Sequence, residues 1–251
     1  MEKKLSELVF ILDKSGSMSG LEEDTIGSFN STIKSHLDSE YDVLVTTVLF
    51  SDDDYILHDR VNIKEIKLMS EKDYRVGGCT ALIDAMGNTI KHIKNIHKYQ
   101  REEDIPDHTM FVIMTDGYEN ASHVYSSDEV KKMIEQQKEV GWEFVFLAAN
   151  IDAVETAKSF SISESRAVNY INDRKGIKKA HDFVANYSKA SFASSKSCCL
   201  SDEDVYLMRN DVDEDYIKRN KTKEAVKVKD IVETIGPEGK KVFEARNKKL
   251  Y

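Results

Sequence analysis

Small hydroxyl side chains follow the first apolar run of the sequence. The run ends at Asp13, and the stretch "DKSGSMSG" (13–20) then holds three serines and two glycines. Asp13, Ser15 and Ser17 form a D-x-S-x-S pattern, in which alternate residues of a tight turn direct their oxygens to one point. Three chemistries use such residues: a serine nucleophile, a phosphate-binding loop and a metal site.

The sequence argues against the first two chemistries. An esterase nucleophile elbow needs G-x-S-x-G, but Met18 stands midway between Gly16 and Gly20. None of the seven histidines has a sequence context typical of a general base. The glycine-rich phosphate motifs G-x-x-x-x-G-K-[ST] and G-x-G-x-x-G are absent. An aspartyl phosphotransferase would have a second carboxylate at position 15, which is a serine.

Two later segments supply further oxygen ligands and favour the metal site. "GGCT" (77–80) ends at Thr80, just before a long helical pattern, and "VIMTDG" (112–117) places Asp116 at the end of an apolar run. Carboxylates and hydroxyls are hard donors, which suit Mg²⁺, Mn²⁺ or Ca²⁺ better than zinc. The adjacent Cys79 is a poor ligand for such an ion, so we expect it to have a packing role.

The apolar pattern alternates between strands and helices, which predicts an α/β fold with a doubly wound, mostly parallel sheet. In such a sheet ligands bind at the carboxyl ends of the strands. Only residues 52–54 separate the second and third strands, so this pair must be antiparallel. The predicted strands are 7–13, 41–52, 55–61, 108–116, 142–150 and 166–170. The predicted helices are 21–38, 81–99, 127–140, 152–160 and one through 177–187.

D-x-S-x-S, a later threonine and a later T-D-G together resemble the metal-ion-dependent adhesion site (MIDAS) of von Willebrand factor A domains. The resemblance covers about residues 7–190, and "DKSGSM", "CTALIDA" and "TDG" look like the intracellular prokaryotic branch of that family. It implies a Rossmann-like sheet of six strands in the order 3-2-1-4-5-6, with an antiparallel edge strand.

The resemblance also implies a role for each site residue. Ser15, Ser17 and Thr80 would bind the metal through their hydroxyls, and Asp13 and Asp116 mostly through waters. One coordination position would stay open for a carboxylate from a partner protein. For Asp84, one helical turn after Thr80, two roles stay open: a hydrogen bond around the site, or a first-turn acid that the helix dipole favours.

The expected function is therefore a non-enzymatic, divalent-metal-dependent protein-binding module. Relatives of this type often partner ATPases, kinases or phosphatases in stress or defence systems. Two alternatives stay open. A bound ion could support a phosphoesterase, or a charged C-terminal extension could act as a scaffold.

Composition limits the partners and the cellular location that we expect for the chain. A net charge of −9 disfavours nucleic acid as a partner, and no stretch has the ~20 apolar residues needed to span a membrane. The start lacks a signal-peptide pattern and the three cysteines form no disulfide framework, so we expect a cytoplasmic protein. We expect a domain over residues 1–195 and an extension over 196–251, which is acidic and then basic and either packs on the domain or binds a partner.

Overall fold

Strands and helices alternate along the chain as the apolar pattern predicts. The computed structural model describes residues 5–194 and 200–221. The strands are β1 (Leu5–Asp13), β2 (Asp42–Phe50), β3 (Asp54–Asn62), β4 (His108–Thr115), β5 (Trp142–Ala148) and β6 (Ala167–Asn169). The helices are α1 (Glu22–Ser35), α2 (Leu82–Tyr99), α3 (Ser127–Glu139), α4 (Ala153–Ser159) and α5 (Arg174–Ala193).

The six strands form one sheet in the order β3-β2-β1-β4-β5-β6, which confirms the predicted fold class. All neighbouring pairs are parallel except β2 and β3, which are antiparallel with β3 at the edge. The short connection between these two strands leaves no length for a crossover, as the sequence predicts.

Both faces of the sheet are covered, because the central strands are apolar on both sides. In β1, every residue from Ser6 to Asp13 is buried. One face packs under α1 and α5, where Phe29 and Tyr187 belong to a single apolar cluster. The other face packs under α2, α3 and α4, where Ile90 and Ile134 belong to a second cluster.

The point where the winding reverses lies between β1 and β4. The chain leaves β1 for α1 on one face and leaves β4 for α3 on the other. A gap therefore opens between the two loops that follow these strands, at the carboxyl edge of the sheet. Asp13 is the last residue of β1 and Asp116 directly follows β4, so the topology places both carboxylates beside this gap.

The chain divides into one unit over Met1–Asp213 and a second over Glu214–Tyr251. A helix, α6, begins at residue 202 and continues to the end of the first unit, where Val205 and Val212 join the apolar cluster of α1 and α5. The described residues of the second unit, 214–221, are also helical. The predicted domain boundary at 195/196 lies in a segment outside the described residues and stays a prediction. No helix among the described residues is long and apolar enough to cross a membrane.

Candidate metal centre

The turn after β1 gathers the first three predicted ligands. The backbone N–H of Ser15 donates to Asp13 Oδ1 at 2.7 Å, which folds the turn back over the carboxylate. The hydroxyls of Ser15 and Ser17 lie 3.1 Å apart, because a short 3₁₀ turn over Gly16–Met18 brings alternate residues to one side. Asp13 and Ser15 are each only 2% exposed, whereas Ser17 faces solvent.

The end of β4 joins this turn through direct side-chain contacts. Ser17 Oγ donates to Asp116 Oδ1 at 2.5 Å. Thr115 Oγ1 donates to Asp13 Oδ2 at 2.7 Å, across the β1–β4 pair. Asn172 Nδ2 donates to Asp116 Oδ2 at 2.7 Å, so the second carboxylate is held from both sides.

The loop before α2 brings Thr80 to the same place. Its backbone N–H donates to Asn120 Oδ1 at 2.8 Å, and its carbonyl accepts from the backbone N–H of Asn120 at 3.1 Å. A Cβ added to Gly117 would lie 3.6 Å from Thr80 Oγ1 and 3.7 Å from Ser17 Oγ. A Cβ at Gly117 would thus be in ordinary van der Waals contact with both hydroxyls, and its absence leaves a small space between them.

The structure thus brings all five predicted residues to one edge of the sheet. Three of these residues come from the turn after β1, Thr80 comes from the loop before α2 and Asp116 follows β4, so no single segment of sequence could form the site. Thr80 and Asp116 are only 4% and 1% exposed, which leaves Ser17 as the most accessible hydroxyl of the set.

No cation among the described residues neutralises the two carboxylates of the site. Burial raises the pKa of Asp116, and the nearby Asp13 carboxylate raises it further, although Ser17 and Asn172 donate to it. Within residues 5–194 and 200–221, neither carboxylate forms an ion pair. The neighbouring cation, Lys14 Nζ, instead donates to Ser51 Oγ at 2.8 Å.

This donor set fits a hard divalent cation. The described chain has no group of three or more His, Cys, Asp and Glu side chains placed to hold a metal. The candidate site instead combines two carboxylates with three hydroxyls. A single Cβ at Gly117 would fill the space between two of these hydroxyls. Oxygen donors of this kind suit Mg²⁺, Mn²⁺ or Ca²⁺.

Asp84 does more than occupy the first turn of α2. Its carboxylate is 5% exposed and accepts from the backbone N–H groups of His123, Val124 and Tyr125 at 2.8, 3.0 and 2.9 Å. Burial alone would raise its pKa, but these donors outweigh burial and lower it. Asp84 therefore anchors the loop after β4 to α2, which decides between the two roles left open by the sequence.

Glu119 fixes the same loop from within. Its carboxylate accepts from the backbone N–H groups of Ala121 and Ser122 at 2.8 and 2.7 Å, and from that of Ile83 at 2.9 Å. Together with Asn120 and Asp84, it holds the loop that carries Gly117 against the start of α2.

Four further side chains around the carboxylates were missed from the sequence. Tyr74 donates through its hydroxyl to the carbonyl of Asp13, and Asn150 Nδ2 donates to the carbonyl of Asp116 at 3.1 Å. Thr115 and Asn172 are the others. All but Thr115 lie in irregular connections, where polar residues carry no periodic signal. Thr115 precedes Asp116 in the T-D-G stretch, which is the one signal that could have identified it.

The family model for the von Willebrand factor type A domain matches residues 7–184. The search of curated proteins gave no match. Among solved structures, the vWF domain of the type V pili tip protein Mfa5 from Porphyromonas gingivalis has a TM-score of 0.58 and 11% identity, covering 80% of this chain and 99% of that one.

Two other solved structures share the fold at similarly low identity. The VWA domain of SpRpn10 has a TM-score of 0.51 and 13% identity, covering 71% of this chain and 94% of that chain. Proximal thread matrix protein 1 from the mussel byssus, with a zinc-occupied MIDAS motif, has a TM-score of 0.51 and 14% identity, covering 75% of this chain and 46% of that one. This chain thus spans about half the length of the mussel protein, and identities this low show the fold alone.

Proposed function

This chain belongs to the von Willebrand factor A domain family, and we propose that it is a divalent-metal-dependent module that binds a carboxylate of a partner protein. The proposed site is a MIDAS. Each of its proposed ligands supplies an oxygen donor at the carboxyl edge of the sheet: Asp13, Ser15, Ser17, Thr80 and Asp116.

One observation carries the proposal. Asp13 and Asp116 are buried and linked through Ser17 and Thr115, yet no cation of the described chain reaches them. Burying like charges together is costly unless a cation compensates them. A bound Mg²⁺ would supply that compensation, with Mn²⁺ and Ca²⁺ as the other hard ions that fit. The zinc-occupied MIDAS motif of the mussel protein supports the assignment of this kind of site to a divalent ion.

The neutral ligands explain why such a module would capture a carboxylate. When bound, the ion would act as a Lewis acid. Two carboxylates only balance its charge, and the hydroxyls of Ser15, Ser17 and Thr80 add none. The ion therefore keeps its attraction for a further anion, and an aspartate or glutamate of a partner protein provides one.

The neighbouring side chains favour binding over hydrolysis. A phosphoesterase would need a general base near the metal, but Glu119 and Asp84 already accept several backbone N–H groups. The side chain of His123 is 80% exposed and its Nδ1 contacts the carbonyl of Ala121 at 3.3 Å. We therefore propose a non-enzymatic role, with the phosphoesterase and the scaffold of residues 196–251 as the alternatives to test.

The proposal also covers the cellular location of the protein and the kind of partner that it binds. We propose a cytoplasmic, bacterial protein of the intracellular branch, acting in a stress-response or defence complex. An ATPase, a kinase or a phosphatase would then supply the carboxylate. The net charge of −9 argues against nucleic acid as the partner.

A magnesium titration of thermal stability tests the metal site. At concentrations well above Kd, binding should raise the free energy of unfolding of the full chain by about 1–3 kcal/mol. Asp116→Asn should abolish this gain. It should also raise the stability of the metal-free protein, because it removes one of two like charges. The matched control is Asp128→Asn, since Asp128 is an exposed acid of α3.

A capture experiment tests the partner. The tagged full chain should retain a specific protein from a bacterial extract with Mg²⁺ and release it with a chelator, and Ser15→Ala should weaken retention. Retention that persists in chelator and in Ser15→Ala, but is lost when the second unit, residues 214–251, is deleted, would support the scaffold instead. Metal-dependent turnover of phosphoesters that Asp116→Asn abolishes would support the phosphoesterase.

A further inference from the structure

A cavity of about 470 Å³ opens at the amino edge of the sheet, opposite the metal centre. Thr109 of β4 and Trp142 of β5 are register neighbours and form its floor. The last turns of α2 and α3 form its walls. This volume is within the range of sites that bind small metabolites.

Three largely buried polar side chains line the cavity and have no side-chain hydrogen-bond partner within the described residues. Thr109, Gln137 and Trp142 are only 3%, 6% and 7% exposed. Across the described parts of the chain, no side-chain hydrogen bond is formed by any of the three. None of their polar atoms is among the fully buried unpaired atoms of the described residues, so each of these groups reaches the cavity and is open to a partner from solution.

The chemistry of these groups indicates what that partner offers. The indole N–H of Trp142 can only donate, and the amide of Gln137 and the hydroxyl of Thr109 can donate as well as accept. The carbonyls of His97 and Gln137, near the helix ends, already accept from Gln100 and Val140. A ligand with acceptor oxygens can therefore pair all three groups, and the indole can be paired in no other way.

Charged side chains surround the mouth of the cavity. Lys94 and Lys98 lie one turn apart on α2, and Glu102 and Asp107 face them from the following segment. Lys98 Nζ lies 5.3 Å from the ring centre of Tyr99, and Lys94 Nζ makes a long 3.5 Å contact with Gln136 Oε1. Neither lysine has an ion pair within the described residues, so both can turn to an anionic group.

His97 separates this cavity from the charges in the sheet. Its Nε2 lies 2.7 Å from Glu7 Oε2, and its ring packs edge-on against Trp142 with 5.3 Å between centroids. Arg60 also pairs with Glu7, so that carboxylate is compensated within the protein. The buried glutamate therefore does not repel an anion in the cavity as an unpaired charge would.

We propose that this cavity binds a small organic oxyanion, a carboxylate or a phosphate ester. Its oxygens accept from Trp142 and Gln137, and its charge faces Lys94 and Lys98. The site lies at the opposite edge of the sheet from the metal centre and does not depend on the proposed metal function.

Trp142 makes the test specific, because it is the one tryptophan of the 251-residue sequence. Its indole N–H resonance in the ¹⁵N-labelled full chain reports this cavity directly. We would titrate with citrate, glucose 6-phosphate, AMP and inorganic phosphate. The expected result is a saturable shift of this resonance with at least one of the three organic anions. No saturable shift with any of them, or a shift with inorganic phosphate alone, would overturn the proposal.

Variants locate the binding within the cavity. Gln137→Ala and Lys98→Ala should each weaken binding of the active probe at least about tenfold, the effect of losing one hydrogen bond to a charged group. Lys91→Ala is the matched control, since Lys91 is an exposed lysine of α2 outside the cavity. Thr109→Val keeps the volume of the side chain and serves if Gln137→Ala fails to fold. Equal affinity in these variants and in Lys91→Ala would also overturn the proposal.

Discussion

The anchoring of the loop after β4 by Asp84 gives the sharpest prediction on stability. Asp84 lies in the first turn of α2, where an acid can act through the helix dipole alone. In the structure it instead accepts three backbone N–H groups, from residues 123 to 125. Replacing Asp84 by alanine removes all three acceptor contacts, and replacing it by asparagine leaves one acceptor oxygen.

The geometry sets the size of the effect. A hydrogen bond to a charged group contributes about 1.5–3 kcal/mol. Three such bonds do not add in full, because His123 and Val124 are exposed and water can replace part of the lost pairing. We therefore expect Asp84→Ala to lower the free energy of unfolding by about 2–4 kcal/mol, and Asp84→Asn by about 1–2 kcal/mol. An acid acting through the dipole alone would contribute only about 0.3–1 kcal/mol.

Urea unfolding of the metal-free full chain measures both variants. Asp128→Asn is the matched control, because Asp128 is an exposed first-turn acid of α3 and tests the dipole by itself. Equal losses for Asp84→Asn and Asp128→Asn would refute the anchoring role. Low pH gives an independent check. Since the folded pKa of Asp84 is lowered, its contribution is present above its unfolded pKa and is lost as pH falls through the folded pKa.

Three further predictions concern particular backbone and histidine positions. Gly117→Ala should weaken magnesium affinity at least about tenfold in the magnesium titration of thermal stability, with little effect on the stability of the metal-free protein. Gly27→Ala is the control: its Cβ would meet open space, so the magnesium affinity should be unchanged. Burial lowers the pKa of His36 and of His181 from 6.5 to about 4, so stability to urea should be highest above pH 6.5 and fall as pH approaches 4; a flat profile would contradict this. Gly78→Ala should lower Tm by several degrees in a calorimetric scan, since its φ is +82° and the new Cβ would lie 2.0 Å from Asp52 Oδ2; an unchanged Tm would show that the loop adapts.

Much of the fold could be predicted because its signals are local. The continuous apolar run of β1 predicts a strand covered on both faces, and the three-residue link between β2 and β3 excludes a parallel crossover. Helix and strand periodicities then place the other predicted elements near their observed bounds, whereas α6 was not predicted. The order of the strands did not follow from periodicity. It followed from the resemblance to a family, and the sheet confirms it.

The candidate site was predictable only in part, for a physical reason. Parallel strands end at a common edge, so residues that follow β1 and β4 must lie close together. That rule brings Asp13 and Asp116 together without any knowledge of side-chain positions. It says nothing about Asn172 or Tyr74, which reach the two strand ends from loops far along the chain. It also could not separate the two roles of Asp84, because both place an acid in the same helical turn.

Strand β1 holds a buried carboxylate near each end, and the contrast between them argues for the role of the metal centre. Glu7 is fully buried near the amino edge, where Arg60 compensates its charge and His97 Nε2 lies within hydrogen-bond distance of it. Asp13 is buried at the carboxyl edge beside Asp116, where the described chain provides hydroxyls and amides but no cation. The same fold that pairs one carboxylate internally leaves two others without a cation of the described chain, as the proposed metal site requires. A protein that only needed stability there would gain from a lysine or arginine, so the unpaired charge is best understood as a binding site.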